Sequence, residues 1–458
     1  MLFRSSIEEV IEAQRRFFAT GKTKELSFRI AALKKLEQGI EQREERFLKA
    51  LYDDLHKSAF EAYATEVGLV KSELKQHIRN VRKWARPEKK QTPLIFFPSK
   101  SRIITEPFGR VLIIAPWNYP LQLMLVPLIG AISAGNCAVL KPSPYAPSVS
   151  AVLAELIEAV FDKEYIALFE GHRDMNRVLL AQPFDYIFFT GSVSLGKEVM
   201  AAAAKNLTPL TLELGGKSPC IVDANADIPI AARRIVWGKF LNAGQTCVAP
   251  DYLFVHVSVK KCLLEYIKKE IYRQFGKHPE KSPDYPRIVR VEAVKRLAAM
   301  LDDGKIYTGG QVNEAERYIA PTVITDVKNS SGLLEDEIFG PILPVLEFEH
   351  IREVEEYVNR HPKPLALYYF TRSRRRARRL LKNISSGGAC INDTVIHVAS
   401  GRLPFGGVGH SGFGKYHGKY SYMVFSNMRG VVYSPTVIDI PFKYAPYKNK
   451  LGFLKRFF

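Results

Sequence analysis

Val111-Leu112-Ile113-Ile114-Ala115-Pro116-Trp117-Asn118-Tyr119-Pro120 decides how the chain is read. An uninterrupted apolar run ends in a rigid turn, with two prolines around a Trp, an Asn and a Tyr. So short and uniform a run suits a strand covered on both faces. Outward from it the pattern repeats. The spacing predicts a helix over 121–134, a strand at Ala138-Val139-Leu140 and a helix over 147–160. Then come a strand from Tyr165 to Phe169, a short helix near 174–180, a strand from Tyr186 to Phe189 and a helix over 195–204. Apolar strands alternating with helices imply βαβ units and a parallel sheet. Ligands of such sheets bind beyond the carboxyl ends of the strands, so the residues after each strand are the first candidates for function.

Away from this core the organisation changes. Leu26, Ile30, Leu33, Leu36, Ile40, Phe47 and Leu51 recur at helical spacing, predicting one amphipathic helix over 25–52. A basic, Pro-punctuated segment from Arg82 to Arg102 holds the apolar run Leu94-Ile95-Phe96-Phe97, with Ile103-Ile104 just beyond. Two short strands around Pro98-Ser99-Lys100 would form an arm leaving the main body. A second alternation starts at Pro219-Cys220-Ile221-Val222 and continues through a helix over 228–240, a strand from Tyr252 to Val257 and a helix over 259–274. Residues 401–418 hold seven glycines, which marks a loop with unusual backbone angles or a close approach.

Lys and Arg total 66 against 47 Asp and Glu, a net charge of +19, which points to an anionic partner. The densest run, Arg372 to Arg379, would spread round a helix instead of forming one stripe. It has no interleaved aromatics, so it reads as a solvated face and not as a nucleic-acid site. Residues 441–458 mix Lys443, Lys448, Lys450, Lys455 and Arg456 with Phe442, Tyr444, Tyr447, Leu451, Phe457 and Phe458, and hold no acidic residue. That composition suits either an anchor on an anionic bilayer or a tail packed on the body. No apolar stretch reaches the ~18–20 residues of a membrane span, and Met1 to Lys22 shows no secretory h-region. Five scattered cysteines suggest a reducing compartment, and no zinc-ligand spacing is present.

Several residues could carry chemistry. Cys247 follows the small-residue turn Asn242-Ala243-Gly244-Gln245-Thr246, which would leave room above a nucleophilic sulfur; a buried structural thiol is the plainer alternative. Glu213, between two leucines, would be half desolvated and raised toward general-base range, or would face solvent from a strand. The Asn118 amide could donate to a developing oxyanion or cap the next helix. Thr190-Gly191-Ser192 opens a helix after a strand, a setting for a phosphate, although the GxGxxG spacing is missing. Lys141 ends the second strand at the same edge.

Pro116 to Pro120, Leu140 to Ser143, Phe189 to Gly196, Leu212 to Gly216, Gly244 to Cys247 and Glu337 to Pro341 occur in this order. Together they resemble the aldehyde dehydrogenase superfamily over about residues 5–430. Cys247 to Tyr252, Leu403 to Gly409 and Tyr416 to Lys419 are similar to the class 3 subgroup, which includes the fatty aldehyde dehydrogenases. The resemblance implies an α/β fold: a Rossmann-like NAD(P)-binding domain from 1–82 and 107–213, a catalytic domain from 214–396 and a return segment at 397–424. An oligomerisation arm would come from 83–106 and 425–436, and a tail from 437–458. It implies that Cys247 forms a thiohemiacetal and then a thioester, that Asn118 holds the oxyanion and that Glu213 activates water. Glu337 would hold the nicotinamide ribose and Phe339 the ring. Ala115, Pro116, Trp117, Lys141, Ser143, Thr190, Gly191, Ser192, Leu214 and Gly215 would complete the cofactor site. No metal is implied.

Two departures stand out. Pro144 replaces a Glu of many NAD-preferring members, which would lower the barrier to a 2′-phosphate, so NAD with tolerated NADP is expected. Arg290 stands where the subgroup usually has Asn. The expected partners are an aldehyde, a second copy of the chain and an anionic membrane touched through 441–458, with no nucleic acid; the expected location is cytoplasmic or peripheral at a membrane. Tyr63 and the 397–405 loop are expected to line the substrate funnel. The rival readings are a CoA-acylating enzyme, against which Glu213 argues, and a non-enzymatic binding protein.

Overall fold

The computed structural model describes residues 2–328 and 331–456; Phe457 and Phe458 of the tail lie outside them. The chain folds as a mixed α/β protein around two parallel-sheet units. In the first, β1 (Arg110–Ile114), β2 (Cys137–Lys141), β3 (Ile166–Leu168), β4 (Tyr186–Gly191) and β5 (Leu210–Leu214) lie parallel in the order β5-β4-β1-β2-β3. The crossovers are α1 (Gln122–Ala134), α2 (Pro147–Val160), α3 (Arg173–Leu180) and α4 (Val193–Ala204). Every residue of α1 is buried, Pro127 included, which is why it reads as apolar all round. Pro147 opens α2, where its missing N–H costs nothing, and the Asp54 carboxylate accepts from Ser148 N at 3.1 Å and Val149 N at 3.0 Å.

The second sheet contains β6 (Pro219–Val222), β7 (Tyr252–His256), β8 (Lys305–Thr308), β9 (Thr322–Thr325), β10 (Ile342–Phe348), β11 (Ala366–Phe370) and β12 (Gly388–Ile391). Its order is β8-β9-β10-β7-β6-β11-β12, parallel except for β8. The chain then returns: β13 (Gly412–Phe413) pairs antiparallel with β5, setting Gly412 opposite Glu213. The Gly412 φ of +117° and the closeness of Leu212 O, 1.9 Å from where a Cβ would stand, leave no room for a side chain. A third sheet joins Lys100–Pro107 to Glu88–Lys90 on one edge and Ser426–Tyr433 on the other.

Two local expectations fail. The amphipathic run over 25–52 is two helices, Leu26–Glu41 and Glu44–Leu55, broken where Arg43 takes the non-helical φ/ψ of −115°/9°. The apolar spacing does not register the break, because Ile40 and Phe47 stand about two helical turns apart and stay in phase. Leu94–Phe96 is a 3₁₀ turn and not a strand. Pro93 and Pro98 flank it without N–H donors, so pairing resumes only at Lys100. The arginine run forms Arg374–Asn383 with Ala377 and Leu380 buried. Arg376 is paired with Asp223 at 2.8 Å and Arg372 with Asp227 at 3.0 Å. Among the described residues no helix is long and apolar enough to cross a membrane.

Candidate active site

A cleft of about 650 Å³ runs along the carboxyl ends of the first sheet and is closed by segments of the second unit. Every residue singled out above for catalysis or cofactor contact lines it. Of the expected funnel residues, Phe405 lines it and Tyr63 does not. Tyr145, Arg290 and Tyr416 also line it, without having been anticipated as site residues. The glycine-rich loop and the Tyr416 to Lys419 motif were the signals for Tyr416, whose backbone pairs with that of Phe405 at 2.8 and 3.0 Å.

Cys247 is delivered by a strained turn. After α5 (Ile228–Phe240), Asn242 and Ala243 both take φ of +51°, rare for residues with a side chain, and Gly244 takes +75°. Hydrogen bonds hold the turn from several sides. Asn242 N donates to Glu61 Oε1 at 2.9 Å, Gln245 Nε2 donates to Arg287 O at 3.0 Å, and Val289 N donates to Gln245 Oε1 at 2.9 Å. The hydroxyls of Tyr119 and Thr246 meet at 2.6 Å.

Asn118 belongs to the same network. Its amide donates to Gln245 O at 3.0 Å, which leaves the second N–H of that amide for another acceptor. Its own carbonyl accepts from Asn242 Nδ2 and from Lys57 Nζ, each at 2.9 Å. Lys57 is wholly buried, and its ammonium also meets Glu66 Oε1 at 2.6 Å. The other Glu66 oxygen accepts from Leu121 N at 2.9 Å and Gln122 N at 3.3 Å, satisfying free donors at the start of α1. A buried pair is tolerable when its remaining donors and acceptors are met in this way.

Glu213 is buried, and neither carboxylate oxygen has a hydrogen-bond partner among the described residues. Burial pushes its carboxyl well above the usual range, opposed only by Lys415. Gly406 passes so close that a Cβ there would lie 2.6 Å from Glu213 Oε1. The Cys247 thiol is raised by burial and then by the Glu337 and Glu213 carboxylates. Glu337 is pushed up to about 8, first by burial and then by Asp251, and Gly216 N–H donates to it. A Cβ on Gly215 would stand 1.9 Å from Glu337 Oε2, so a side chain there would displace the Glu337 carboxylate. Phe339, at φ +49°, meets Trp117 edge-on at 5.5 Å.

The other end of the cleft fits a dinucleotide. Ser192 caps α4, and Ser192, Ser194 and Leu195 present that helix N-terminus to the cleft, a setting for a pyrophosphate. Thr190 Oγ1 is buried with no partner. Lys141 is pushed down to about 8 by burial, and its ammonium donates to Pro142 O at 2.7 Å.

Comparison with known proteins accords with this geometry. The model of the "Aldehyde dehydrogenase family" matches residues 3–431. The 4,4'-diaponeurosporen-aldehyde dehydrogenase of Staphylococcus aureus is 46% identical over 454 residues, covering 99% of each chain. Aldehyde dehydrogenase family 3 member B1 of Homo sapiens is 46% identical over 421 residues, covering 92% of this chain and 90% of its own. The solved structure described as the substrate-bound state of Staphylococcus aureus AldH superposes with a TM-score of 0.97 at 45% identity, covering 98% of this chain and 99% of that one. The chain belongs to the aldehyde dehydrogenase family.

Proposed function

We propose that this aldehyde dehydrogenase oxidises medium- or long-chain aliphatic, or aromatic, aldehydes to carboxylic acids with NAD(P) as cofactor. The observation that carries the reading is the convergence of Cys247, Glu213 and Asn118 on one cleft that also presents a helix N-terminus. The apolar walls Trp117, Leu123 and Phe405 support an apolar substrate.

Cys247 Sγ first releases its thiol proton to water in the cleft and then, as thiolate, attacks the aldehyde carbon, and the carbonyl oxygen becomes an alkoxide. The second amide N–H of Asn118 and the backbone N–H of Cys247 donate to that oxygen. Bound NAD(P)+ supplies the hydride acceptor, for which Glu337 and Phe339 would hold the nicotinamide ribose and ring, Ser192 the pyrophosphate and Lys141 the adenosine half. A thioester is left on Cys247. Glu213, once ionised, takes a proton from a water that attacks the thioester carbon. The acid leaves and the sulfur is freed. Burial makes Glu213 a stronger base than an ordinary carboxylate.

The test is NAD(P)H formation over a chain-length series of aldehydes, with Cys247→Ala as control. Turnover by wild type and not by the variant is expected; equal inactivity of both overturns the reading. Release of acyl-CoA instead of free acid in the presence of CoA would overturn the hydrolytic assignment of Glu213.

The arm and tail support two further assignments. The arm exposes Phe97, Met428, Val432 and Tyr433, an apolar surface suited to a second copy of the chain. The tail exposes Tyr447 and Leu451 beside Lys448 and Lys450, a composition suited to an anionic membrane at the cytoplasmic face. Light scattering on wild type and a Phe97→Asp/Val432→Asp double variant tests the first: dimer and monomer masses are expected, and a monomeric wild type overturns it.

A further inference from the structure

The adenosine end of the cleft has an unusual wall. Beyond Lys141 the chain turns through Pro142, Ser143, Pro144 and Tyr145, all lining the cleft. Across from them stands Arg290, at the N-cap of α6 (Val291–Ala299), which follows the Cys247-supporting segment Arg287–Val289. Its guanidinium lies over the Tyr145 ring, 4.5 Å from the centroid. This cation–π contact holds the arginine against the β2 loop and leaves its N–H edge available.

The charges around it are uneven. The carboxylates lining the cleft among the described residues are Glu213 and Glu337, and both act on Cys247 at the other end. Three cations line it. Arg173 is paired with Glu198 at 2.5 Å, and Lys141 is turned onto Pro142 O. Among the described residues the carboxylate paired with Arg290 is Glu292, at 4.0 Å, and that side chain is 75% exposed, so the contact is long and screened by water. The side chain of Arg290 is itself 46% exposed. A planar, permanently charged group lacking a close carboxylate, opposite a Pro with no side-chain acceptor, is suited to a phosphate dianion and poorly suited to a neutral ribose diol.

Building on the cofactor assignment above, we propose that Arg290, held by Tyr145, recognises the 2′-phosphate of an adenosine ribose, so that the chain selects for NADP through a residue supplied by the catalytic unit. Pro144 permits this phosphate and Arg290 attracts it. The two departures noted in the sequence thus form one device across the cleft.

Calorimetric binding of adenosine fragments, without substrate or turnover, tests this. Titrate 2′,5′-ADP and 5′-AMP, and then NADP+ and NAD+, into wild type, Arg290→Asn, Arg290→Lys and Tyr145→Leu. Arg290→Asn is expected to weaken 2′,5′-ADP by about 10- to 100-fold, the range for a charge-assisted hydrogen bond, and to leave 5′-AMP within about twofold. Arg290→Lys should fall between wild type and Asn, and Tyr145→Leu should weaken 2′,5′-ADP selectively by a smaller factor. Equal losses for both fragments, or no loss for either, would overturn the proposal while leaving the cofactor site standing. If neither fragment nor either dinucleotide binds wild type, the cofactor assignment itself falls, and this inference with it.

Discussion

The side-chain amide of Asn118 donates a 3.0 Å hydrogen bond to the carbonyl of Gln245, two residues before Cys247. The proposed oxyanion donor and the proposed nucleophile are therefore one mechanical unit, although 129 positions apart in number. Asn242 and Lys57 reinforce it by donating to the Asn118 carbonyl. Asn118→Ala is expected to lower kcat by about 10²–10³, the cost of one oxyanion donor, with a smaller effect on aldehyde KM. Steady-state kinetics check it; an unchanged kcat would remove Asn118 from the oxyanion site.

Glu213→Gln separates the two halves of the reaction. Acylation should survive, so a burst of NAD(P)H near one equivalent per site is expected, followed by turnover slowed by about 10²–10⁴. Mass spectrometry of the quenched protein should find the acyl group on Cys247. Because burial raises the Glu213 carboxyl, wild-type deacylation should climb with pH above the ordinary carboxylate range as the carboxylate forms, and the variant should lose that climb.

Glu61 links the site to stability. Burial pushes its carboxyl up to about 7 from an ordinary value of 4.5. Between those pH values the unfolded chain has released a proton that the folded chain still holds, so stability falls as pH rises through this window and levels off above it. The loss is of order 3 kcal/mol. Glu61→Gln keeps an acceptor for Asn242 N–H and should flatten the fall in Tm between pH 4.5 and 7; an unaltered slope would show that other buried carboxyls carry it.

Gly244→Ala should abolish activity while leaving most of the fold intact. A Cβ at φ +75° would be strained and would stand 2.2 Å from Gly340 O, so the turn carrying Cys247 must shift. The expected signature is a loss of at least about 100-fold in kcat with slower labelling of Cys247 by iodoacetamide, since a small misplacement of reacting groups is costly.

Removing residues 441–458 should abolish co-sedimentation with phosphatidylserine vesicles and leave turnover of a short, soluble aldehyde unchanged. Equal sedimentation of both chains would detach the tail from any membrane role.

Much of this was legible in the chain itself. Val111 to Ala115 showed a strand covered on both faces because its apolar run has no polar face to give, and the cleft then followed from where such strands end. Cys247, Glu213 and Asn118 stood out because small residues, leucines or prolines around a reactive side chain are local signals. What escaped depends on contacts between distant segments. Lys57 and Glu66 read as ordinary charges near a helix, and only the fold buries them against Asn118. Arg290 and Tyr145 lie in different units, so nothing local to either announced their contact. The break at Arg43 was missed because two helices in one groove keep nearly the same apolar period as one.

The pairing of Gly412 with Glu213 bears on how the protein comes into being. A ribosome delivers residues in order, so the proposed nucleophile, base and oxyanion donor all exist while the edge of β5 is still bare. Phe405, Gly406 and the Gly412–Phe413 strand are made after all three, and with them comes the enclosure that lifts the Glu213 carboxyl. A chain halted before this segment thus carries its reactive side chains without the wall that encloses Glu213, and the site is completed by residues made well after those it serves.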